Sequence, residues 1–157
     1  MNIEIERKYL VINTSFKQYA SHYSVIKQGY LSTDKNRSVR IRVLEDKGFI
    51  TIKGVSSADG LSRLEWEKEI PLSEALALFD LSLPGAIEKT RYFIPTATHT
   101  WEIDVFHADN EGLILAEIEL SASNEKFNIP DFIGEEVTGD VRYYNAYLSQ
   151  HPFKLWK

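Results

Sequence analysis

The 157-residue sequence contains no cysteine at all. Neither a disulfide framework nor thiol chemistry is therefore available to the protein. No stretch approaches the ~20 consecutive apolar residues that a membrane-spanning helix requires. The first residues, Met1-Asn2-Ile3-Glu4, lack the basic and apolar regions of a signal peptide, so we expect a cytoplasmic protein.

Positive charge is also in short supply. Lysine and arginine number 18 against 23 aspartates and glutamates, which gives a formal net charge of -5. Because affinity for a phosphate backbone comes from surplus lysine and arginine, a nonspecific nucleic-acid binder is not expected. Apolar residues make up 43% and charged residues 26%, as in ordinary globular proteins, and the length suits one domain over 1–157.

Several familiar catalytic and phosphate-binding motifs are missing too. The sequence has no glycine-rich phosphate loop of the Walker or dinucleotide type and no G-x-S-x-G elbow. The four histidines, at positions 22, 99, 107 and 151, show no metal-ligand spacing, and we interpret them as surface or packing residues. Any phosphate binding must then rely on side chains elsewhere in the chain.

What the sequence does contain is a series of short runs in which charged residues alternate with β-branched or aromatic ones, the pattern of strands. The predicted strands cover residues 2–11, 37–45, 49–54, 64–70, 88–94, 101–108 and 113–121. Helical patterns are fewer and cover 15–23, 73–81 with Ser73 as N-cap, and 142–150, with a further short helix expected within 122–133. The sequence therefore predicts an antiparallel, strand-dominated α+β domain.

The charges on these strands come in pairs of one sign, two residues apart. The acidic pairs are Glu4/Glu6, Glu65/Glu67, Glu102/Asp104 and Glu117/Glu119, and the basic pairs are Arg40/Arg42 and Lys89/Arg91. The charged face of a strand is usually exposed to solvent. Like charges two apart on a strand lie roughly 7 Å from each other on the same face, however, which nothing in folding favours. A ligand of opposite charge would favour it.

We interpret the pattern as a closed or nearly closed antiparallel barrel with its polar face inward and its apolar face covered by helices. Paired carboxylates without cysteine suit a hard divalent cation, Mg²⁺ or Mn²⁺, rather than zinc. Arginines and lysines that face the same cavity suit a polyanion, since arginine can grip phosphate oxygens with two hydrogen bonds. Together they imply a polyphosphate substrate.

At this point the residues resemble a known family. Glu4-Ile5-Glu6-Arg7-Lys8 is similar to the Glu-x-Glu-x-Lys signature of the CYTH superfamily, the triphosphate tunnel metalloenzymes. The resemblance continues in order through Val39–Arg42, Thr51–Gly54, Arg63–Glu67, Glu88–Tyr92, Trp101–Phe106, Ala116–Leu120, Glu135–Asp140 and Arg142-Tyr143. It covers most of the chain and is specific as an ordered set.

The resemblance implies an eight-stranded antiparallel β-barrel tunnel with a charged interior, helices packed outside, and Mg²⁺ or Mn²⁺ bound within. Carried over by position, one metal would be held by Asp104, Glu117 and Glu119, and a second, which presents the attacking water, by Glu4, Glu6 and the shared Glu119. The predicted catalytic residues are Glu4, Glu6 and Lys8. The substrate would be lined by Lys8, Arg40, Arg42, Lys53, Lys89, Arg91 and Arg142. The orienting residues would be Glu65, Glu67 and Glu102.

The compact length resembles the short bacterial members of that family, which prefer inorganic triphosphate. We therefore predict metal-dependent hydrolysis of tripolyphosphate to pyrophosphate and phosphate. A class IV adenylyl cyclase or a nucleoside or thiamine triphosphatase on the same fold remains an alternative, as does a non-catalytic polyphosphate-binding module. The expected partner is a triphosphate-containing small molecule, with neither nucleic acid nor membrane. The preferred metal, the bond cleaved and the oligomeric state, for which a homodimer is one option, stay open.

Overall fold

A computed structural model describes residues 2–156 of the chain. The strands are β1 (Asn2–Val11), β2 (His22–Ser32), β3 (Arg37–Leu44), β4 (Lys47–Ser56), β5 (Ser62–Ile70), β6 (Ile87–Pro95), β7 (Thr100–Phe106), β8 (Ile114–Leu120) and β9 (Ile133–Glu136). The α-helices are α1 (Leu72–Phe79) and α2 (Asn145–Gln150). Short 3-10 helices cover Ser15–Tyr19, Ala108–Asn110, Val141–Tyr143 and Phe153–Leu155.

The strands form one antiparallel sheet that closes on itself. The spatial order is β5-β4-β3-β2-β6-β7-β8-β1, and the first half of β1 pairs back onto β5, with Ile3 opposite Leu64. The ninth strand, β9, adds to the second half of β1, with Val11 opposite Ile133. The predicted eight-stranded antiparallel barrel is therefore confirmed, with one short extra strand beside the ring.

The side-chain alternation of the strands puts charge inside the barrel and apolar groups outside. In β1, Glu4, Glu6 and Lys8 face the interior, whereas Tyr9 belongs to a buried apolar cluster on the outer surface. That cluster includes Trp101, which has no exposed surface, and it is covered by residues outside the barrel. The main apolar core of this protein thus lies outside part of the barrel wall.

A second apolar cluster closes one end of the barrel. Interior-facing side chains of several strands, among them Ile87, Phe106 and Leu115, pack against Leu148 of α2. Helix α2 therefore seals an end of the barrel instead of lying on its outer wall. Helix α1 does pack outside, over β3 and β4, and a Cβ added at Gly48 would lie 2.2 Å from the Cβ of Ala75. Only glycine allows that approach.

The charge alternation did not predict β2. Its inward side chains include Ser24, Ile26, Gln28 and Tyr30, none of which is charged, so the pattern that marks the other strands is missing. The helix predicted over 15–23 is wrong, because a five-residue 3-10 helix ends at Tyr19 and β2 begins at His22.

The predicted helices elsewhere are correct only in part. The 122–133 segment contains no helix; its Phe127 and Phe132 instead pack into the outer apolar cluster. Helix α1 begins at Leu72, with Pro71 and not Ser73 in the N-cap position. The helix predicted over 142–150 is divided into a 3-10 turn and α2. Within residues 2–156, neither α-helix has the length and hydropathy that crossing a membrane would take.

Candidate functional site

The barrel encloses a cavity of about 260 Å³ at its centre. Thirteen of the fifteen residues predicted from the sequence line it: Glu4, Glu6, Lys8, Arg40, Arg42, Lys53, Glu65, Glu67, Lys89, Arg91, Glu102, Glu117 and Glu119. Asp104 and Arg142 do not. The cavity also takes in Arg63, Thr51, Ser38, Tyr30, Tyr144 and Asn145, to which the sequence assigned no role.

The order of the strands divides this cavity into two walls of opposite charge. The strands β4, β3, β2 and β6 are consecutive in the ring, and their charged side chains in the cavity are all basic. The remaining four, β7, β8, β1 and β5, are also consecutive and carry all of its carboxylates, together with the cations Lys8 and Arg63. The basic wall of the cavity is therefore complementary to a polyanion, and the acidic wall is complementary to a cation.

Carboxylates on the acidic wall face one another across the strands. Glu6 is directly opposite Glu119, and Glu117 is opposite Glu102. Like charges in such pairs are destabilising. Burial raises the pKa of Glu6 well above its usual value, and the charges of Glu117 and Glu4 add to this rise. Burial, together with the negative charge of Glu4, also raises the pKa of Glu119. The wall thus has an excess of negative charge that a hard cation would relieve.

Three carboxylates on this wall have lysine partners. Lys53 Nζ lies 2.8 Å from Glu4 Oε1 and 3.6 Å from Glu65 Oε2, and Lys8 Nζ lies 3.6 Å from Glu117 Oε1. Burial alone would raise the pKa of Glu117, but the charges of Lys8 and Arg91 outweigh it and lower the pKa to about 2. Within residues 2–156, no three acidic or histidine side chains already stand together as metal ligands. A cation bound here would therefore compete with the lysines for these carboxylates.

The basic wall has unused hydrogen-bond donors. The Nε atoms of Arg40 and Arg42 are buried and have no hydrogen-bond partner among the described residues. Thr51 donates to Glu67 Oε2 at 2.6 Å and accepts from Arg40 Nη2 at 3.2 Å, and Arg42 Nη2 donates to the same Glu67 oxygen at 3.4 Å. These bonds fix the outer ends of both guanidinium groups. The charge of Arg40, together with burial, lowers the pKa of Arg42 to about 9. Both arginines share the carboxylate of Glu67, at 3.7 and 3.4 Å, and an anion would satisfy their unpaired buried donors.

Asp104 stands apart from the other predicted metal ligands. It is only 1% exposed, and its Oδ1 accepts from Arg91 Nε at 2.8 Å while Oδ2 lies 2.8 Å from Lys89 Nζ. Burial would raise the pKa of Asp104, but Arg91 and Lys89 outweigh it and hold it well below the usual range. In this structure Asp104 orients two cations, and it could bind a metal only if one of these bonds were exchanged.

Arg142 does not reach the cavity, contrary to the sequence prediction. Its guanidinium is 2.7 Å from Asp140 Oδ2 and lies over the rings of Tyr143 and Trp156, and its side chain is 56% exposed. Arg63 lines the cavity instead. The alternation of β5 could have indicated Arg63, since it precedes Glu65 by two residues and shares its face.

Comparison with known proteins agrees with this geometry. The CYTH domain family model matches residues 2–145. The chain is 47% identical to the inorganic triphosphatase of Acetivibrio thermocellus, with 100% of this chain and 99% of that protein covered. It is 36% identical to the inorganic triphosphatase of Nitrosomonas europaea, with coverages of 93% and 96%. A crystal structure of an inorganic triphosphatase superposes with a TM-score of 0.66 at 30% identity, covering 93% of this chain and 97% of the other. The protein belongs to the CYTH domain family.

Proposed function

We propose that the protein is a metal-dependent inorganic triphosphatase, which hydrolyses tripolyphosphate to pyrophosphate and phosphate inside its barrel. The observation that carries the proposal is the division of the one barrel cavity into an acidic and a basic wall. A metal–triphosphate complex has the same division, with a cation on one side and phosphate oxygens on the other. Two similar proteins that the chain matches over nearly its full length are inorganic triphosphatases.

The acidic wall fits a divalent metal by the chemistry of its donors. Oxygen ligands are those that Mg²⁺ and Mn²⁺ prefer, and we assign metal binding to Glu4, Glu6, Glu117 and Glu119, with two metals as the predicted number. A metal bound there would neutralise charge on the phosphate oxygens and lower the pKa of a bound water. Because Asp104 is already committed to Lys89 and Arg91, its contribution is to hold those cations in place.

The basic wall holds the triphosphate. Phosphoryl transfer depends more on positioning and charge neutralisation than on a protein nucleophile, and the donors of this wall provide both. Arg40 and Arg42 bind phosphate oxygens through their free Nε atoms and the adjoining Nη atoms. Further donors are Lys53, Lys89 and Arg91 on this wall and Lys8 on the acidic wall. Glu65, Glu67 and Glu102 keep the cations oriented.

We assign proton transfer to the glutamates of β1. The carboxylate of Glu6, which lines the cavity and faces Glu119 across the strands, accepts a proton from the attacking water. Glu4, which Lys53 keeps ionised, orients the same water.

The size and lining of the cavity favour an inorganic substrate. Its volume of about 260 Å³ is below the roughly 300–1,000 Å³ typical of pockets for drug-sized ligands. Apolar carbon enters the lining only through a few residues, such as Leu61, Ala146 and Tyr144, so a nucleobase would find little surface to stack on. A bare triphosphate needs no such surface.

A substrate panel tests this function. Tripolyphosphate, ATP, thiamine triphosphate and pyrophosphate would each be supplied with Mg²⁺, Mn²⁺ or a chelator, and free phosphate, pyrophosphate and cyclic AMP would be measured. We expect equal amounts of phosphate and pyrophosphate from tripolyphosphate, no turnover with the chelator, and a lower kcat/KM for the other substrates. A preference for ATP or thiamine triphosphate, or production of cyclic AMP, would contradict the proposal. Tight tripolyphosphate binding without turnover would indicate the non-catalytic module.

A further inference from the structure

A chain of buried polar groups connects the helix that closes the barrel to the basic wall of the cavity. Asn145, the first residue of α2, accepts at its Oδ1 from Gln28 Nε2 at 3.0 Å and from Lys89 Nζ at 2.9 Å. Lys89 Nζ also lies 2.8 Å from Asp104 Oδ2, and Asp104 in turn is held by Arg91. Gln28, Lys89 and Asp104 are each at most 1% exposed. These groups have no bulk water to replace a lost partner.

The donor count of Lys89 suggests what this chain of contacts does. An ammonium group has three N–H donors. Asn145 and Asp104 take two of them, and one donor is left for the cavity that Lys89 lines. The two acceptors thus orient the ammonium group so that its third N–H donor is available to a ligand in the cavity. Since Asn145 Oδ1 accepts two bonds, its own position is fixed from β2 as well as from α2.

The neutrality of Asn145 matters as much as its position. Lys89 already has one carboxylate partner in Asp104, and a second carboxylate at position 145 would compensate the positive charge that a phosphate has to meet. An amide oxygen holds the ammonium without adding charge. The packing of Leu148 in the apolar cluster anchors the helix that carries this amide.

We propose that Asn145 is a positioning residue, which aims the ammonium group of Lys89 at the triphosphate and makes the closed end of the barrel part of the substrate site. This inference rests on the proposed function. The side chain of Asn145 acts through Lys89, and its own Oδ1 is fully used by Gln28 and Lys89. Binding of substrate should therefore depend on Asn145 only as long as Lys89 is present.

A double-mutant cycle between Asn145 and Lys89 tests this. Asn145→Ala, Asn145→Asp, Lys89→Gln and the double variants would be compared for kcat, KM and the affinity for tripolyphosphate measured by calorimetry, with Tm recorded for each. Gln150→Ala, on the exposed end of the same helix, is the matched control and should behave as wild type. We expect Asn145→Ala to raise KM about 10-fold, comparable to the ~10- to 100-fold effect of losing a residue that orients a metal ligand.

Asn145→Asp separates positioning from support of the fold. It keeps an acceptor of the same shape, so we expect a Tm near that of wild type and yet a KM raised at least as much as in Asn145→Ala. In the Lys89→Gln background, both substitutions should leave KM within about 2-fold of the value for Lys89→Gln alone, because the residue through which Asn145 acts is gone. Independent, multiplicative effects in that background would overturn the inference. If Asn145→Ala fails to fold, Asn145→Asp and its double variant decide the question by the same criteria.

The same measurements tell the two proposals apart. A wild-type protein that neither binds nor hydrolyses tripolyphosphate would overturn the proposed function and this inference with it. A wild-type protein that does both, with folded Asn145 variants of unchanged KM and affinity, would overturn the inference alone.

Discussion

Glu6→Gln is expected to lower kcat/KM for tripolyphosphate by about 100- to 10,000-fold, the contribution that a positioned general base usually makes. The substitution keeps the shape of the side chain and removes its charge from the acidic wall, where Glu6 faces Glu119. It should also weaken the rise in Tm that Mg²⁺ or Mn²⁺ produces in the wild-type protein. Steady-state kinetics and thermal melts with and without metal measure both effects.

The same variant should be more stable than wild type when metal is absent. Because the pKa of Glu6 is raised in the folded state, its contribution to stability is present below the unfolded-state pKa of about 4.5 and is lost as pH rises through the folded-state value. Glutamine resembles the protonated form and avoids that loss. The Tm gain of Glu6→Gln should therefore be clear at pH 8 and shrink towards pH 4.5.

Glu88→Gln is the matched control for Glu6→Gln. Glu88 lies on the outer face of β6, where it is paired with Lys27 at 3.8 Å and about half exposed. We expect its kinetics and its metal-induced Tm shift to equal those of wild type. A Glu6→Gln protein that keeps wild-type turnover and the full metal-induced shift would show that the acidic wall does not hold the metal.

Arg40→Lys and Arg42→Lys are expected to lower kcat/KM for tripolyphosphate by about 10- to 100-fold, mainly through KM. Each substitution keeps the positive charge but removes the planar fork and the buried, unpartnered Nε atom. A lysine ammonium cannot reproduce the two parallel hydrogen bonds that a guanidinium makes with a phosphate. Kinetics at fixed metal concentration, with tripolyphosphate varied, provide the measurement.

Arg37→Lys is the control on the same strand. Arg37 points to the other face of β3, its side chain is 71% exposed, and it pairs with Asp34 at 2.7 Å. This substitution should change neither kcat nor KM. If Arg40→Lys and Arg42→Lys behave like Arg37→Lys, the phosphates are not bound by the guanidinium groups of the basic wall.

The charge pattern predicted the barrel and most of its interior because each charged strand shows its orientation in its own residues. Glu4, Glu6 and Lys8 alternate with apolar neighbours, and the register of β1 with β8 then places them beside Glu117 and Glu119. The inward face of β2 carries no charge, so periodicity could not reveal that strand. Arg63 lies two residues before Glu65 on the same face of β5, so the alternation did indicate its inward position. Its role in the site was not predicted from the sequence.

The sequence could not predict the partners of Asp104 or the position of Asn145, because both depend on contacts between distant parts of the chain. Alternation placed Asp104 on the inner face correctly, but the surrounding Lys89 and Arg91 take both of its oxygens, which no local pattern shows. Asn145 comes from a six-residue helix without charge periodicity, and it reaches Lys89 because α2 closes the end of the barrel. Arg142 was predicted to line the cavity, but it forms an ion pair with Asp140 at the surface instead.

The central claim is that one cavity binds metal on its acidic wall and triphosphate on its basic wall. A crystal structure of the wild-type protein with Mn²⁺ and imidotriphosphate, a non-hydrolysable analogue, tests it most directly, because the anomalous signal of manganese locates the metal. We predict manganese bound to carboxylates among Glu4, Glu6, Glu117 and Glu119, with phosphate oxygens on Arg40 and Arg42. An analogue bound outside the barrel, or bound inside it with no manganese at the acidic wall, would contradict the account.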